Sequence, residues 1–217
     1  MLCYRIIFVN VAKVKEIPEA KKDKCPNLVM LRTNTEFLSY MDALYQSQRY
    51  PSIALQHFKK GDLLLTQGEA CVKVLVVKEG IAKCYFLEEN GKDYILEFLG
   101  DGEILGEIET LRNTHCLCNV SALTPLEAYA IPVAVFRELL TKDLTLNKLL
   151  LHELAERIVN TSSRASFQQL YTVDHGLGKL LELQQKLDIQ ISKDDMAAYL
   201  GITLRSLNRA LKLVGTK

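Results

Sequence analysis

A chain of 217 residues with 48 % apolar and 24 % charged side chains has ordinary globular composition and enough length for one large domain or two smaller ones. That excludes a disordered polyelectrolyte and a chain made mainly of membrane spans. The formal net charge of +1 is unevenly spread: residues 1–35 carry seven Lys/Arg against three acids, 190–217 carry five against two, and 36–189 carry fifteen against twenty-one. A basic C-terminal end behind an acidic body suits a protein that offers one end to a polyanion.

The N-terminal run MLCYRIIFVNVA is too short to span a bilayer, and a charged stretch follows it rather than a small-residue cleavage site. A cytoplasmic location without membrane attachment is expected. Residues 1–30 then include Pro18 and Pro26 with no clear amphipathic period. They fit either an added strand or an irregular lead, with Met30 and Met41 as alternative starts. From Thr35 to Gln48, Phe37, Leu38, Met41, Leu44 and Tyr45 fall on one face of a predicted helix.

Between Ile53 and Pro132 short β-rich runs alternate with turn residues, Gly61-Asp62, Gly68-Glu69, Glu79-Gly80, Asn90-Gly91 and Gly100-Asp101-Gly102. Seven or eight short strands with frequent turns predict a sandwich or barrel-like roll, and Asn90-Gly91 predicts a tight hairpin. After Pro132 the texture becomes helical. Val133–Leu140 reads as a short helix, and Asp143 to about Gln169 as a long one without Pro or Gly. The stripe Leu146, Leu149, Leu150, Leu154 and Ile158 on that helix wants a partner, either a second copy or the chain's own β-domain; a dimer seam through Leu146, Leu150, Leu154 and Ile158 is the reading adopted. A further helix is expected over Val173–Leu187.

Residues 191–214, ISKDDMAAYLGITLRSLNRALKLV, hold the densest signal. Ser192 is an N-cap, with Asp194 and Asp195 in the first turn. Met196, Tyr199 and Leu200 form a buried face, Ala197 allows a close crossing, and Gly201 supplies a left-handed turn. Ile202 anchors the turn and Thr203 caps a second helix that buries Leu207, Ala210 and Leu211. Its other face offers Thr203, Arg205, Ser206, Arg209 and Lys212 for phosphates and base edges in a major groove. The alternative is a plain helical hairpin with a solvated basic face.

The six cysteines, Cys3, Cys25, Cys71, Cys84, Cys116 and Cys118, contain no C-x-x-C and no second close pair to match Cys116-x-Cys118. Reduced thiols without a metal are expected. If residues 116–118 are a strand, Cys116 and Cys118 share a face, and redox-responsive thiols there are a minor reading. His57 and His115 read as surface side chains. With no nucleophile–base set, metal cluster or phosphate loop, no catalytic residue is assigned and an enzyme is not expected.

Three segments, FKKGDLLLTQGE at 58–69, GEILGEIETL at 102–111 and the helical pair at 191–214, in that order around a long helix, resemble the cyclic-AMP-receptor and fumarate-nitrate-regulator superfamily over residues 36–214. The chain is also similar to a smaller orphan branch with the same glycine-glutamate loop and no established common ligand. The resemblance implies an α+β fold of bacterial type. It would comprise an N-terminal cyclic-nucleotide-binding-like β-roll (a double-stranded β-helix) over 35–140, a dimerisation helix over 141–169 and a helix-turn-helix domain over 170–217. Residues 1–34 remain an extension of unassigned status. It further implies a homodimeric transcription regulator that binds palindromic double-stranded DNA, contacts RNA polymerase and senses an unidentified small-molecule effector. The effector pocket would use Gly106, Glu107, Ile108, Cys116 and Cys118.

Departures from the family pattern carry their own expectations. Where nucleotide-binding members hold the cyclic phosphate with an Arg-Ser or Arg-Thr pair, this chain has Cys116-Leu117, so a cyclic nucleotide is not expected and no cofactor is evident. Gly106 is then better read as a turn residue needed by the fold. An iron-sulfur cluster of the kind held by related oxygen sensors is not expected from Cys3 and Cys25 alone. Leu204 stands where nucleotide-responsive members often carry Arg, and Arg205 stands where they carry an acid, so a different half-site is expected. The family's β-hairpin wing has no counterpart before Gly215-Thr216-Lys217. Either the chain is truncated there or the protein is a natural variant with weakened DNA binding, and the second functional reading is a sensor or partner-binding protein that has lost DNA binding through that missing wing.

Overall fold

The computed structural model of the chain describes residues 30–88 and 93–214. The N-terminal lead with Cys3 and Cys25, the Asn90-Gly91 turn and Gly215–Lys217 lie outside them. Two sheets face each other. One has the order β1-β6-β5-β8-β3 and the other β2-β9-β4-β7. Their strands are β1 (Leu31–Arg32), β2 (Ala54–Phe58), β3 (Leu63–Leu65), β4 (Lys73–Glu79), β5 (Ala82–Leu87), β6 (Asp93–Leu99), β7 (Ile104–Leu105), β8 (Asn119–Ala122) and β9 (Leu126–Pro132). The eight strands from β2 to β9 match the turn spacing of the sequence. Leu87 lies opposite Asp93, so the strands that flank Asn90-Gly91 are antiparallel neighbours.

The helices are α1 (Thr35–Gln46), α2 (Glu107–Arg112), α3 (Val133–Lys142), α4 (Leu144–Leu170), α5 (Val173–Leu187), α6 (Lys193–Leu200) and α7 (Leu204–Val214). Among the described residues no helix is long and apolar enough to cross a membrane. The fold is α+β: a β-roll followed by helices.

Strand parity builds two cores from one sheet. In β4 and β9, Leu75, Val77, Ala128 and Ala130 point between the sheets. Val74, Val76, Tyr129 and Ile131 point to the other side, where they meet Phe37 and Met41 of α1, Phe136 and Leu139 of α3, and Leu146 and Leu150 of α4. Burial on both faces explains why β4 reads as a continuous apolar run rather than an alternation. A third core joins Ile95 and Phe98 of β6 to Leu177, Leu180, Met196, Tyr199, Leu207 and Ala210 of the C-terminal helices.

Two boundaries differ from the sequence expectation. β1 pairs in parallel with β6, Leu31 opposite Phe98 and Arg32 opposite Leu99, and Asn34 caps α1 by accepting from the Phe37 amide at 2.9 Å. Residues 30–34 thus belong to the roll, and the reading of an extension ending at residue 34 is corrected. A two-residue parallel edge strand carries too little periodicity to be seen in a sequence. The second correction concerns α4. Leu146 and Leu150 are buried in the chain's own core and Leu154 packs against it, so of the proposed seam only Ile158, 69 % exposed, faces away.

Phe136 has no solvent exposure and sits among α1, α4 and the β4–β9 face. Phe136→Ala should cost about 3–5 kcal/mol through lost transfer energy and the cavity left behind. Urea denaturation monitored by circular dichroism measures this directly.

Candidate functional site

The C-terminal helical pair forms as its residues dictate. Ser192 Oγ accepts from the Asp195 amide at 3.0 Å, and Gly201 ends α6 in the left-handed region, φ 67°, where a Cβ would be strained. The Ile202 amide donates to the Ala197 carbonyl at 3.0 Å, and Thr203 Oγ1 accepts from the Ser206 amide at 3.2 Å. Met196, Ala197, Tyr199, Leu207 and Ala210 are buried, whereas Leu200, Ile202 and Leu211 are half-buried. Thr203, Arg205, Ser206, Arg209 and Lys212 are all exposed along one side of α7. Asn208, also exposed there, is an amide that the sequence reading passed over, and Asn is a suitable reader of adenine.

This helical pair is docked on the chain's own β-roll. The Tyr199 ring stacks on Phe98 with centroids 5.1 Å apart. Arg164 of α4 lies 4.2 Å from the Tyr199 ring centre and donates to the carbonyls of Ile95 at 2.7 Å and Tyr199 at 2.9 Å. Lys83 of β5 forms an ion pair with Asp195 of α6. None of these three contacts was foreseen, because each joins residues far apart in sequence.

The glycine-glutamate loop is the second element. Gly106 has φ 85°, and a Cβ there would come within 3.0 Å of Cys71 Sγ and 3.1 Å of the Lys73 carbonyl. The fold itself needs this glycine. Glu107, 1 % exposed, is ion-paired with Arg157 of α4, which also donates to the Ile104 carbonyl at 3.1 Å. Ile108 is half-buried and Cys116 buried. The segment before β8 is not a strand, so Cys116 and Cys118 do not share a strand face; Cys118 turns to Cys84 instead, with sulfurs 2.9 Å apart. The Leu117 amide, at the position the family uses for phosphate, donates to Glu109 Oε1 at 3.0 Å. A carboxylate therefore sits where an anion would need positive charge. His57 and His115 are exposed, and among the described residues no cluster of His, Cys, Asp and Glu could hold a metal ion.

Around Glu107 lies a buried ionic cluster. Arg32 meets Glu97 at 3.0 Å and Glu103 at 3.2 Å and pairs with Glu153. Arg157 lies 3.7 Å from both Glu103 and Glu153. Four carboxylates thus share two guanidiniums. Burial pushes Glu103 up to about 7 despite Arg32 and Arg157, and burial also raises Glu107. The folded protein therefore holds the Glu103 proton more tightly than the unfolded chain does. That stabilisation is complete below the ordinary value of 4.5 and is lost as pH rises through about 7. Glu103→Gln should flatten the fall in stability across this window, read as urea midpoints at several pH values. An unchanged slope would remove Glu103 from the account.

Residues 55–143 match the cyclic nucleotide-binding domain family. The chain is 29 % identical over 158 residues to the regulatory protein YeiL of Escherichia coli O157:H7, covering 70 % of each chain. It is 28 % identical over 160 residues to a Lacticaseibacillus casei protein named "Probable transcriptional regulator flp", covering 71 % of this chain and 73 % of that one. A Crp/Fnr-family structure from Eubacterium rectale superimposes with a TM-score of 0.70 at 17 % identity, over 83 % of this chain and 88 % of that one, and shows a shared fold. Residues 55–143 are thus a cyclic nucleotide-binding domain, and over about 70 % of its length the chain is similar to proteins named as regulators of transcription, with a fold shared with a Crp/Fnr-family structure.

Proposed function

We propose that the protein is a non-enzymatic, homodimeric regulator that binds a specific palindromic DNA site and contacts RNA polymerase, with a sensor roll that answers to an effector other than a cyclic nucleotide. The observation that carries the DNA-binding reading is α7: Leu207 and Ala210 are buried while Arg205, Ser206, Asn208, Arg209 and Lys212 face outward. Such a helix presents guanidiniums for guanine and short polar groups for phosphates on one continuous side. The domain assignment follows as 30–142 for the sensor, 144–170 for the long helix and 173–214 for the reading head.

Against a cyclic nucleotide stand two contacts. The loop carboxylate of Glu107 is already neutralised by Arg157, and Glu109 holds the Leu117 amide where a phosphate would need a cation. Negative charge at that point repels an anionic ligand.

For the dimer, α4 offers a second seam, with Leu144 68 %, Leu151 69 % and Ile158 69 % exposed and Ala155 exposed between them. Spacings of seven, four and three residues place these four side chains on one heptad-type face. The proposed dimer thus uses Leu144, Leu151, Ala155 and Ile158, not Leu146, Leu150 and Leu154. Leu151→Glu combined with Ile158→Glu should shift sedimentation to the monomer with the far-ultraviolet spectrum intact. An unchanged dimer would discard this seam.

Selection from random duplex DNA with the purified full chain tests the main reading. A palindrome should be enriched, and Arg209→Ala should weaken its binding by about 1–3 kcal/mol. Weak binding without sequence preference would instead favour a sensor or partner-binding protein that does not read DNA.

A further inference from the structure

The roll gathers four thiols into one region. Cys84 comes from β5, Cys118 from the residue before β8, Cys71 from the approach to β4 and Cys116 from the loop after α2; all four belong to, or pack against, the core between the sheets. They divide into two unlike pairs. Cys84 and Cys118 have their sulfurs 2.9 Å apart. Cys71 instead directs its thiol to the carbonyls of Lys73 at 3.4 Å and Gly106 at 3.5 Å, and neighbouring Cys116 is pushed up to about 11 by burial.

We propose that Cys84 and Cys118 are an oxidation site of the sensor roll, a dithiol that a hydroperoxide converts reversibly to an intramolecular disulfide. The two residues lie on neighbouring antiparallel segments. Cys84 is opposite Val120 and Tyr85 opposite Asn119, and Cys118, the residue just before β8, brings its sulfur to 2.9 Å from that of Cys84. A disulfide needs sulfurs at about 2.0 Å, so closure asks for a short side-chain movement and no strand shift. Both sulfurs are on half-buried residues, and Leu117, next to Cys118, is 39 % exposed, so a small oxidant has a route in.

The bond changes balance as follows. The two thiols share one hydrogen bond, and this contact and burial hold Cys84 well above the ordinary thiol range. With Cys118 oxidised first, Cys84 is the resolving thiol, and the same balance holds with the two exchanged. The Cys118 sulfur takes the terminal oxygen of the hydroperoxide, the O–O bond breaks, and an alcohol leaves (water, for hydrogen peroxide), giving a sulfenic acid at Cys118. Cys84 Sγ then attacks that sulfur. The S–S bond forms, the S–O bond breaks, and hydroxide departs with the Cys84 proton as water. Two thiols and one hydroperoxide thus yield one disulfide, one alcohol and one water, with two electrons passing from sulfur to the peroxide. A cellular dithiol reverses the bond by exchange. The new bond would lie one residue from Lys83, whose ion pair with Asp195 joins the sensor to the reading head.

The test uses the full-length reduced protein and hydrogen peroxide in slight excess, followed by alkylation of free thiols and non-reducing peptide mapping by mass spectrometry. The expected map shows one linked peptide joining Cys84 to Cys118, an intact mass lower by two hydrogens, and full recovery with dithiothreitol. Cys118→Ser should lose the link, while Cys71→Ser should keep it. The proposal is overturned if Cys84 and Cys118 stay fully alkylated while Cys71 or Cys116 is oxidised, or if the bond joins any other pair or two chains. The map of the unaltered protein decides the matter even if a variant folds poorly.

Discussion

Arg157 is a guanidinium taken out of water at the meeting point of three structural parts: the loop glutamate Glu107, the preceding Glu103, and Glu153 one turn back on its own helix. A lone charge at this depth would cost several kcal/mol, and it is tolerated because carboxylates surround it. Arg32 repeats the arrangement from the edge strand, bringing Glu97 and the same Glu103 and Glu153 into contact. With four acids and two bases, full ionisation leaves surplus negative charge, and burial, with a smaller part from the neighbouring Glu97 and Glu107, raises the proton affinity of Glu103. The cluster fixes which side of α4 faces the roll. Leu146, Leu150, Glu153 and Arg157 recur at four, three and four residues, one helical face, so the opposite face, with Leu144, Leu151 and Ile158, is turned outward. The rotation of the long helix, and hence any partner surface on it, depends on this buried pairing.

The parts legible in the sequence are those written in short-range chemistry. The reading head could be drawn residue by residue because a cap, a small crossing residue, a left-handed glycine and an amphipathic helix are all local signals. The strand count was legible because turns punctuate the chain at regular intervals. What could not be read was partner choice. α4 carries two apolar stripes, and periodicity alone does not say which meets the roll; Ile158 was attached to the wrong one for that reason. Glu107 and Arg157 are fifty residues apart, as Cys84 and Cys118 are thirty-four apart, and only strand register and helix rotation bring such pairs together. Arg32 was hidden in a lead that showed no period.

The same buried pairing bears on how a signal could travel. In a roll whose loop carboxylate is unpaired, a ligand can supply the missing partner. Here Arg157 already supplies it from α4, so the loop and the long helix are coupled before any effector arrives. An effector changes the reading head only by binding one arrangement of these groups better than another, and the reading head has two physical attachments through which that preference can act. One is α4 itself, which carries Arg157 near its middle and Arg164 two turns later. The other is direct: Phe98 against Tyr199, with Lys83 against Asp195. Arg164 belongs to both, since it hydrogen-bonds Ile95 of the roll and Tyr199 of the head at once. A rotation of α4 that disturbs Arg157 at one end must therefore loosen or reset Arg164 at the other. By linkage the dependence would run both ways: if the proposed regulator binds DNA and an effector through these two parts, holding one on DNA would change the affinity of the other for the effector.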